Sequence, residues 1–346
     1  MAIQTVNGPI PREKLGIALA HEHIFCDLRS LVSDYDEMGR RNLFYENITL
    51  ENYGHVRRNP YAILDNALLN QEAIQEREVR AWLRAGGDSI VDATTRDFGR
   101  DPELLRAISR TTGVNIVMGC GRYVDASLSE AEKARAVVQI AEEMLCDLTS
   151  GVGESGIRAG VIGEIGTSKS ITPAEYCSLE AAAIAQKETG AGMHIHAALF
   201  GDEGLKAARF VLGKGVDPHK ICIDHVDVAL DWTYIQKLLE MGVWIEFDNF
   251  GKEFYVDRRC RNLLEGAFAS DVERAKAVAR VADVGRLGQL LITNDICLKS
   301  LTHTYGGWGY DHIVTNIAPM LEDFGLQRQE VDQLLRKNPA DFLDIP

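Results

Sequence analysis

A chain of 346 residues, 46% hydrophobic and 25% charged, carries enough apolar material for a substantial core and lacks the bias of a disordered protein. Its formal charge of -14 works against nucleic acid and anionic membranes, whose recognition rests on clustered Lys and Arg, and leaves a small molecule as the expected partner. The stretch Met1 to Leu15 has no apolar signal-peptide core, no run approaches the ~18 apolar residues of a membrane span, and the seven cysteines form no CxxC pair, so buried thiols and the reducing cytoplasm are expected.

Short apolar or β-branched runs recur along the chain. The first, Ile17 to Phe25, contains His21-Glu22-His23; side chains two apart on a strand share a face, so both imidazoles can grip one ion. Residues 28–66 follow, polar and rich in tyrosine (Tyr35, Tyr45, Tyr53, Tyr61), a loop suited either to covering an active-site mouth or to a subunit contact. A helical period over Asn70 to Ala85 leads to the second run, Ser89 to Thr94, and another over Asp101 to Thr111 leads to the third, Asn115 to Gly119. A helix is predicted over Ser129 to Leu148. The fourth run, Gly160 to Ile165, carries Glu164 near its end, a carboxylate that is costly to bury without a cation or hydrogen-bond donor.

The next helix, Thr172 to Thr189, opens with an N-cap, an N1 proline and a capping-box acid in Thr172, Pro173 and Glu175, and stops at Gly190. The fifth run, Gly192 to Ala197, puts His194 and His196 on one face. After a helix over Gly204 to Leu212, the sixth run, Ile221 to Val226, ends near His225. A helix over Trp232 to Met241, closed by Gly242, precedes the seventh, Val243 to Phe247, where Glu246 and the following Asp248 oppose Val243, Ile245 and Phe247. Residues 249–271 carry Lys252, Arg258, Arg259 and Arg261, by default a solvated basic face. The eighth run, Leu290 to Ile296, carries Asp295 near its end.

Eight strands alternating with helices predict a (β/α)8 TIM barrel of parallel strands, one domain over residues 1–346, with its active site at the C-terminal strand ends. An open doubly wound sheet competes, but it usually brings a Gly-rich phosphate turn after its first strand, where this chain has His21-Glu22-His23. His21, His23, Glu164, His196, His225 and Asp295 all fall near C-terminal strand ends and form the candidate metal set. Imidazole with carboxylate suits zinc, taken first, or manganese, iron or cobalt, better than magnesium or calcium. Four imidazoles and two carboxylates overfill one catalytic centre, so two divalent ions are expected, with Glu164 bridging. His194, one layer deeper, and Glu246 are placed to support ligand histidines by hydrogen bonds.

The stretch from Leu15-Gly16-Ile17-Ala18-Leu19-Ala20-His21-Glu22-His23 to Asn294-Asp295 and the closing Asn338-Pro339 resembles the phosphotriesterase family of the amidohydrolase superfamily over nearly the whole chain. Asp92-Ala93-Thr94-Thr95, Gly121-Arg122-Tyr123-Val124-Asp125, Ile162-Gly163-Glu164-Ile165-Gly166 and Tyr305-Gly306-Gly307-Trp308-Gly309-Tyr310 add to the likeness. Phosphotriesterases proper bridge their metals with a carbamylated lysine; Glu164 at that position resembles the phosphotriesterase-related branch and removes any need for CO2. The resemblance implies that His21, His23 and Asp295 hold the more buried ion and His196 and His225 the more exposed one. It also implies that a hydroxide bridging the metals attacks the substrate while catalytic Asp295 takes the proton, and that the chain forms a homodimer.

Glu164 moves the expected reaction from phosphotriesters to carboxylic esters, lactones or amides. Arg96, Arg122, Tyr123 and Lys252, together with Arg258 and Lys299, follow barrel strands and would surround the metals, so a small substrate with a carboxylate or sulfonate beside the scissile bond is expected. Three alternatives stand beside this reading: a phosphotriester or phosphoester hydrolase, a metal-dependent nuclease disfavoured by the acidic charge, and a small-molecule binding protein that kept its metals without turnover.

Overall fold

Alternation of short apolar strands with amphipathic helices produces a parallel sheet curled into a barrel with helices outside. The computed structural model describes residues 2–32, 38–255 and 266–345; Tyr35, Arg258, Arg259 and Arg261 lie outside the described residues. A hairpin of β1 (Ala2–Thr5) and β2 (Gly8–Pro11) precedes the first barrel strand, β3 (Ala18–Glu22). Two short strands, β4 (Cys26–Asp27) and β5 (Leu68–Leu69), pair antiparallel. The remaining barrel strands are β6 (Ser89–Asp92), β7 (Asn115–Cys120), β8 (Val161–Gly166), β9 (Met193–His196), β10 (Ile221–Ile223), β11 (Trp244–Phe247) and β12 (Leu290–Ile292). They bond in chain order from β3 to β12.

The ring closes where β12 meets β3. Thr293 Oγ1 lies 3.0 Å from the His21 carbonyl oxygen and 2.6 Å from Glu22 Oε1. Glu22 also accepts the backbone N–H groups of Asn294 at 2.9 Å and Ile296 at 2.7 Å.

Strand side chains divide between two apolar cores, as expected for a parallel sheet covered on both faces. Leu19, Ile90, Ile116, Ile195, Ile245 and Leu290 join the larger core with Val79, Trp82, Ile108, Leu179 and Val278 of the helices. Ala18, Ala20, Val91, Val117, Cys222 and Leu291 join a smaller one, plugged by Ile3, Leu15 and Phe342.

Two strands depart from simple alternation at the positions that matter. Leu19 pairs with Ile90 and Glu22 with Asp92, so β3 spends three steps where β6 takes two. Ile162 pairs with Met193 and Ile165 with Ile195, so β8 likewise carries one extra residue. Such bulges re-aim side chains, and here they immediately precede His23 and surround Glu164. Gly163 permits the second: its φ is 124°, and a Cβ there would stand 2.7 Å from the His194 carbonyl oxygen.

The predicted helix over Ser129 to Leu148 is two helices, Glu130–Lys133 and Val137–Thr149. Arg135 in the break pairs with Glu132 and Glu143, and Gln139 Oε1 accepts the Ala136 N–H at 3.0 Å. Described residues on either side of positions 33–37 lie over the barrel mouth. Tyr53 Oη donates to the Ser300 carbonyl at 3.2 Å, the Lys299 ammonium meets Asp65 at 2.5 Å, and Leu28, Pro60 and Tyr61 line the central pocket. Among the described residues, no helix is long and apolar enough to cross a membrane.

Candidate metal centre

β3 and the residues just beyond β12 bring His21, His23 and Asp295 together; the ends of β8 and β9 and the turn after β10 bring Glu164, His196 and His225 together. In each trio the ligand-type atoms lie within 4.8 Å of one another. Glu164 joins the two. Its Oε1 is 3.3 Å from His23 Nε2, and its Oε2 is 2.9 Å from His196 Nδ1 and 3.7 Å from His225 Nε2. Asp295 Oδ1 is 3.0 Å from His23 Nε2.

Each trio depends on one non-glycine residue in left-handed backbone, His225 at φ 61° and Asp295 at φ 48°. That conformation is uncommon outside glycine and tends to persist at functional sites, where the surroundings over-determine it.

Acceptors behind the rings fix their orientation. His21 Nδ1 lies 3.0 Å from Glu246 Oε2, His23 Nδ1 2.9 Å from Thr94 Oγ1, and His225 Nδ1 3.0 Å from Asp248 Oδ1. Asp248 Oδ2 also accepts the His225 backbone N–H at 2.9 Å. One layer down, His194 Nδ1 lies 3.0 Å from Asp224 Oδ1 and 3.4 Å from Glu246. Holding Nδ1 in this way turns Nε2 of His21, His23 and His225 towards the centre, the usual support for metal-binding imidazoles.

The residues fit bound divalent metal. His21 Nε2 is buried with no hydrogen-bond partner. His225 Nε2 and His196 Nδ1 are only 2.8 Å apart, although a neutral His225 ring with its proton on Nδ1 presents a bare lone pair there. Five carboxylates touch the site imidazoles, those of Glu164, Asp224, Glu246, Asp248 and Asp295, and the Lys252 ammonium pairs with Asp295.

The titration of the site reflects this acidic surplus. Burial opposes charge on His23, but Asp295 and Glu164 outweigh it and push the imidazole up to about 9. Burial likewise opposes ionisation of Glu164, yet His21, His196 and His225 hold it well below the usual carboxylate range.

The expected substrate contacts separate into two groups. Tyr123 lines the pocket with Oη 3.3 Å from His196 Nδ1. Lys252 lines it too, buried with its ammonium on Asp295 Oδ2, and so is no part of a solvated face. Arg96 extends to solvent and pairs with Glu132 at 3.0 Å and Glu143 at 2.9 Å, and Arg122 donates to the Glu132 carbonyl at 2.6 Å. Neither lines the pocket, and Lys299 is committed to Asp65.

Sequence reasoning passed over Asp224, although it ends the apolar run Ile221-Cys222-Ile223 as Glu164 ends its own. It also passed over the clamp behind Lys252. Buried Arg274 forms an ion pair with Asp227 at 2.9 Å and donates to Asp271 at 3.1 Å and to the Lys252 carbonyl at 3.1 Å. Only the tertiary fold brings those positions together.

His23, Glu164, His196, His225 and Asp295 border a cavity of about 60 Å³ whose walls also include Tyr61, Phe98, Tyr123, Phe254 and Phe268. The phosphotriesterase family model matches residues 1–343. An N-acetyltaurine hydrolase from Xenopus tropicalis is 33% identical over 344 residues, covering 99% of this chain and 97% of its own. The crystal structure of a resiniferatoxin-binding protein from Rhodobacter sphaeroides superposes with a TM-score of 0.95 at 33% identity, covering 99% of this chain and 95% of that one. A mutant PTE-like lactonase from Deinococcus radiodurans gives a TM-score of 0.76 at 28% identity, covering 99% and 100%.

Proposed function

The chain belongs to the phosphotriesterase family, a family of metal-dependent hydrolases, and from that premise we propose that it cleaves a carboxylic amide, ester or lactone bond in a small anionic substrate. His21, His23 and Asp295 would hold one divalent ion, His196 and His225 the other, with Glu164 shared. The observation that carries this reading is Glu164, with one oxygen towards His23 and the other towards His196 and His225. A permanent carboxylate serves where a carbamylated lysine would need CO2. Amide and lactone substrates also appear in the names of relatives that this chain matches along its whole length.

Divalent metal held by these residues, zinc first among the candidates, would supply Lewis acidity to activate water and polarise the carbonyl oxygen. The chain's own residues supply the rest. Asp295, at the pocket floor, is placed to accept the proton of the attacking water and pass it to the leaving group. Lys252 holds that carboxylate and is the cation that lines the pocket among the described residues, so it is the group to meet a substrate carboxylate or sulfonate. Tyr123 Oη can donate to an oxygen at the reacting centre from beside His196.

We take the whole chain as one hydrolase unit acting in the cytoplasm, consistent with six described cysteines that are all unpaired. In this reading Tyr45 and Leu50, 64% and 93% exposed, belong to the homodimer contact.

The test is a panel of N-acyl amino acids, N-acyl aminosulfonates, lactones, aryl esters and phosphotriesters, assayed after loading the protein with zinc or manganese in bicarbonate-free buffer. Carboxylic substrates should exceed phosphotriesters in kcat/KM, and Glu164→Gln should lower both metal content and kcat/KM, the latter by about 100-fold or more. A higher kcat/KM for phosphotriesters would overturn the assignment of bond type.

A further inference from the structure

We propose that His194, Asp224 and Glu246 form a separate, sealed site for one divalent ion of the zinc class, one layer beneath the candidate metal centre. None of the three belongs to either trio above, and the proposal does not depend on which bond the enzyme cleaves.

The side chains come from β9, the turn after β10, and β11, which are neighbours in the sheet. Their ligand-type atoms, together with one from His21, all lie within 4.8 Å of one another, and each of these residues is 0% exposed. His194 Nδ1 stands 3.0 Å from Asp224 Oδ1 and 3.4 Å from Glu246 Oε2. Two donors sharing an ion at bonds of about 2.1 Å are roughly 3.0 Å apart at a right angle and roughly 3.4 Å apart at the tetrahedral angle. Both spacings therefore suit ligands of a common ion.

Hydrogen bonds leave this cluster incomplete. Asp224 Oδ2, Glu246 Oε1 and His194 Nε2 are buried without a hydrogen-bond partner among the described residues. Asp224 Oδ2 faces His21 but lies 3.7 Å from its Nδ1, too far to accept its proton. A buried carboxylate oxygen with no donor has lost its hydration without replacement, and a cation offsets that loss. One imidazole and two carboxylates are a donor set that zinc accepts, and the spare oxygens of Asp224 and Glu246 can complete its shell. Glu246 Oε2 keeps its 3.0 Å contact with His21 Nδ1, which ties the lower ion to a ligand of the upper centre.

Enclosure separates the two levels. Phe342 stands edge-to-face with His194 at 4.8 Å on one side, and buried His21 lies on the other. His23, Glu164, His196, His225 and Asp295 instead border the open pocket. An ion in the lower site would enter as the chain folds and leave slowly, whereas the upper centre is open to chelators.

The experiment is diffraction from crystals of the full chain, produced in zinc-supplemented medium, with data collected on both sides of the zinc absorption edge. An anomalous peak is expected between His194, Asp224 and Glu246. Dialysis against a chelator should empty the upper positions and leave about one zinc per chain by elemental analysis. Asp224→Asn and His194→Phe should each lower that remainder about 10-fold or more. Peaks confined to the upper positions would overturn the proposal while leaving the active-site reading intact, and the wild-type map decides this even if a variant fails to fold. A remainder unchanged in both variants would overturn it as well. A lower peak beneath empty upper positions would support the site and count against the metal centre above it.

Discussion

Glu22 sits between two proposed metal ligands, yet its carboxylate serves the far side of the barrel seam, accepting N–H groups from Asn294 and Ile296 and lying beside the Thr293 hydroxyl. Glu22→Gln replaces one acceptor oxygen with an NH2 group that faces these donors. It should cost about 2–3 kcal/mol in a urea unfolding curve, because a buried donor left unmatched forfeits its full desolvation penalty. An unchanged midpoint would show that the seam does not depend on this side chain.

Asp248 has a different task, holding His225 by both its ring and its backbone. Asp248→Asn should reduce metal affinity by about 10- to 100-fold, read by titration with a chelator of known affinity. The six candidate ligands were legible in the sequence because each is a polar group near the end of an apolar strand, where burial demands a partner. Arg96 and Arg122 were not, since what decides their direction is Glu132 and Glu143, which reach them only through the break between two helices.

At the scale of elements, strand alternation located the ligands but missed how two of the strands present them. The extra residues in β3 and β8 shift the pleat before His23 and around Glu164, and their signal lies in the pairing of neighbouring strands, invisible along one chain. Helix ends were easier to read. Thr172 Oγ1 accepts the Glu175 N–H at 3.2 Å and the Glu175 carboxylate takes the Thr172 N–H at 2.9 Å, as the local sequence requires.

The helix Asp271–Asp283 carries the clamp on the loop that follows β11. Asp271 Oδ1 accepts the Gly251 N–H at 2.9 Å and Oδ2 lies 2.8 Å from His312 Nε2. Burial opposes the Asp271 charge, but His312, the Gly251 amide and Arg274 outweigh it and hold the carboxyl below its ordinary value. A depressed folded pKa stabilises the protein above the unfolded value, near 4, and that contribution disappears as pH falls through the folded value. Urea midpoints of the parent chain and Asp271→Asn should therefore differ most at neutral pH and converge below pH 4. A constant gap would mean that the charge is not the source. Arg274→Met, which removes the cation paired with two buried carboxylates, should cost about 3–5 kcal/mol in the same assay.

For the molecule as a whole, the fold class followed from eight strand-helix repeats, and the barrel closes where the first and last of them meet. The trio of His21, His23 and Asp295 spans that closure, with His21 on β3, His23 just past it and the aspartate just past β12. An ion held there joins the two edges, so its binding free energy adds to that of folding. Removing metal that had been held at about 100 times its dissociation constant should remove about 2.7 kcal/mol and lower Tm by about 3–5 °C, measured by calorimetry before and after chelation. An identical Tm would place the ions outside the balance that holds the barrel shut.

The distance between the two edges along the chain also sets a schedule. Thr293 and His21 touch across the seam although 272 positions separate them, and the ribosome delivers the histidines long before the aspartate. A nascent chain with only its first strands exposed offers two imidazoles and no complete cage. A metal held by that trio could therefore be enclosed only once residue 295 has been made.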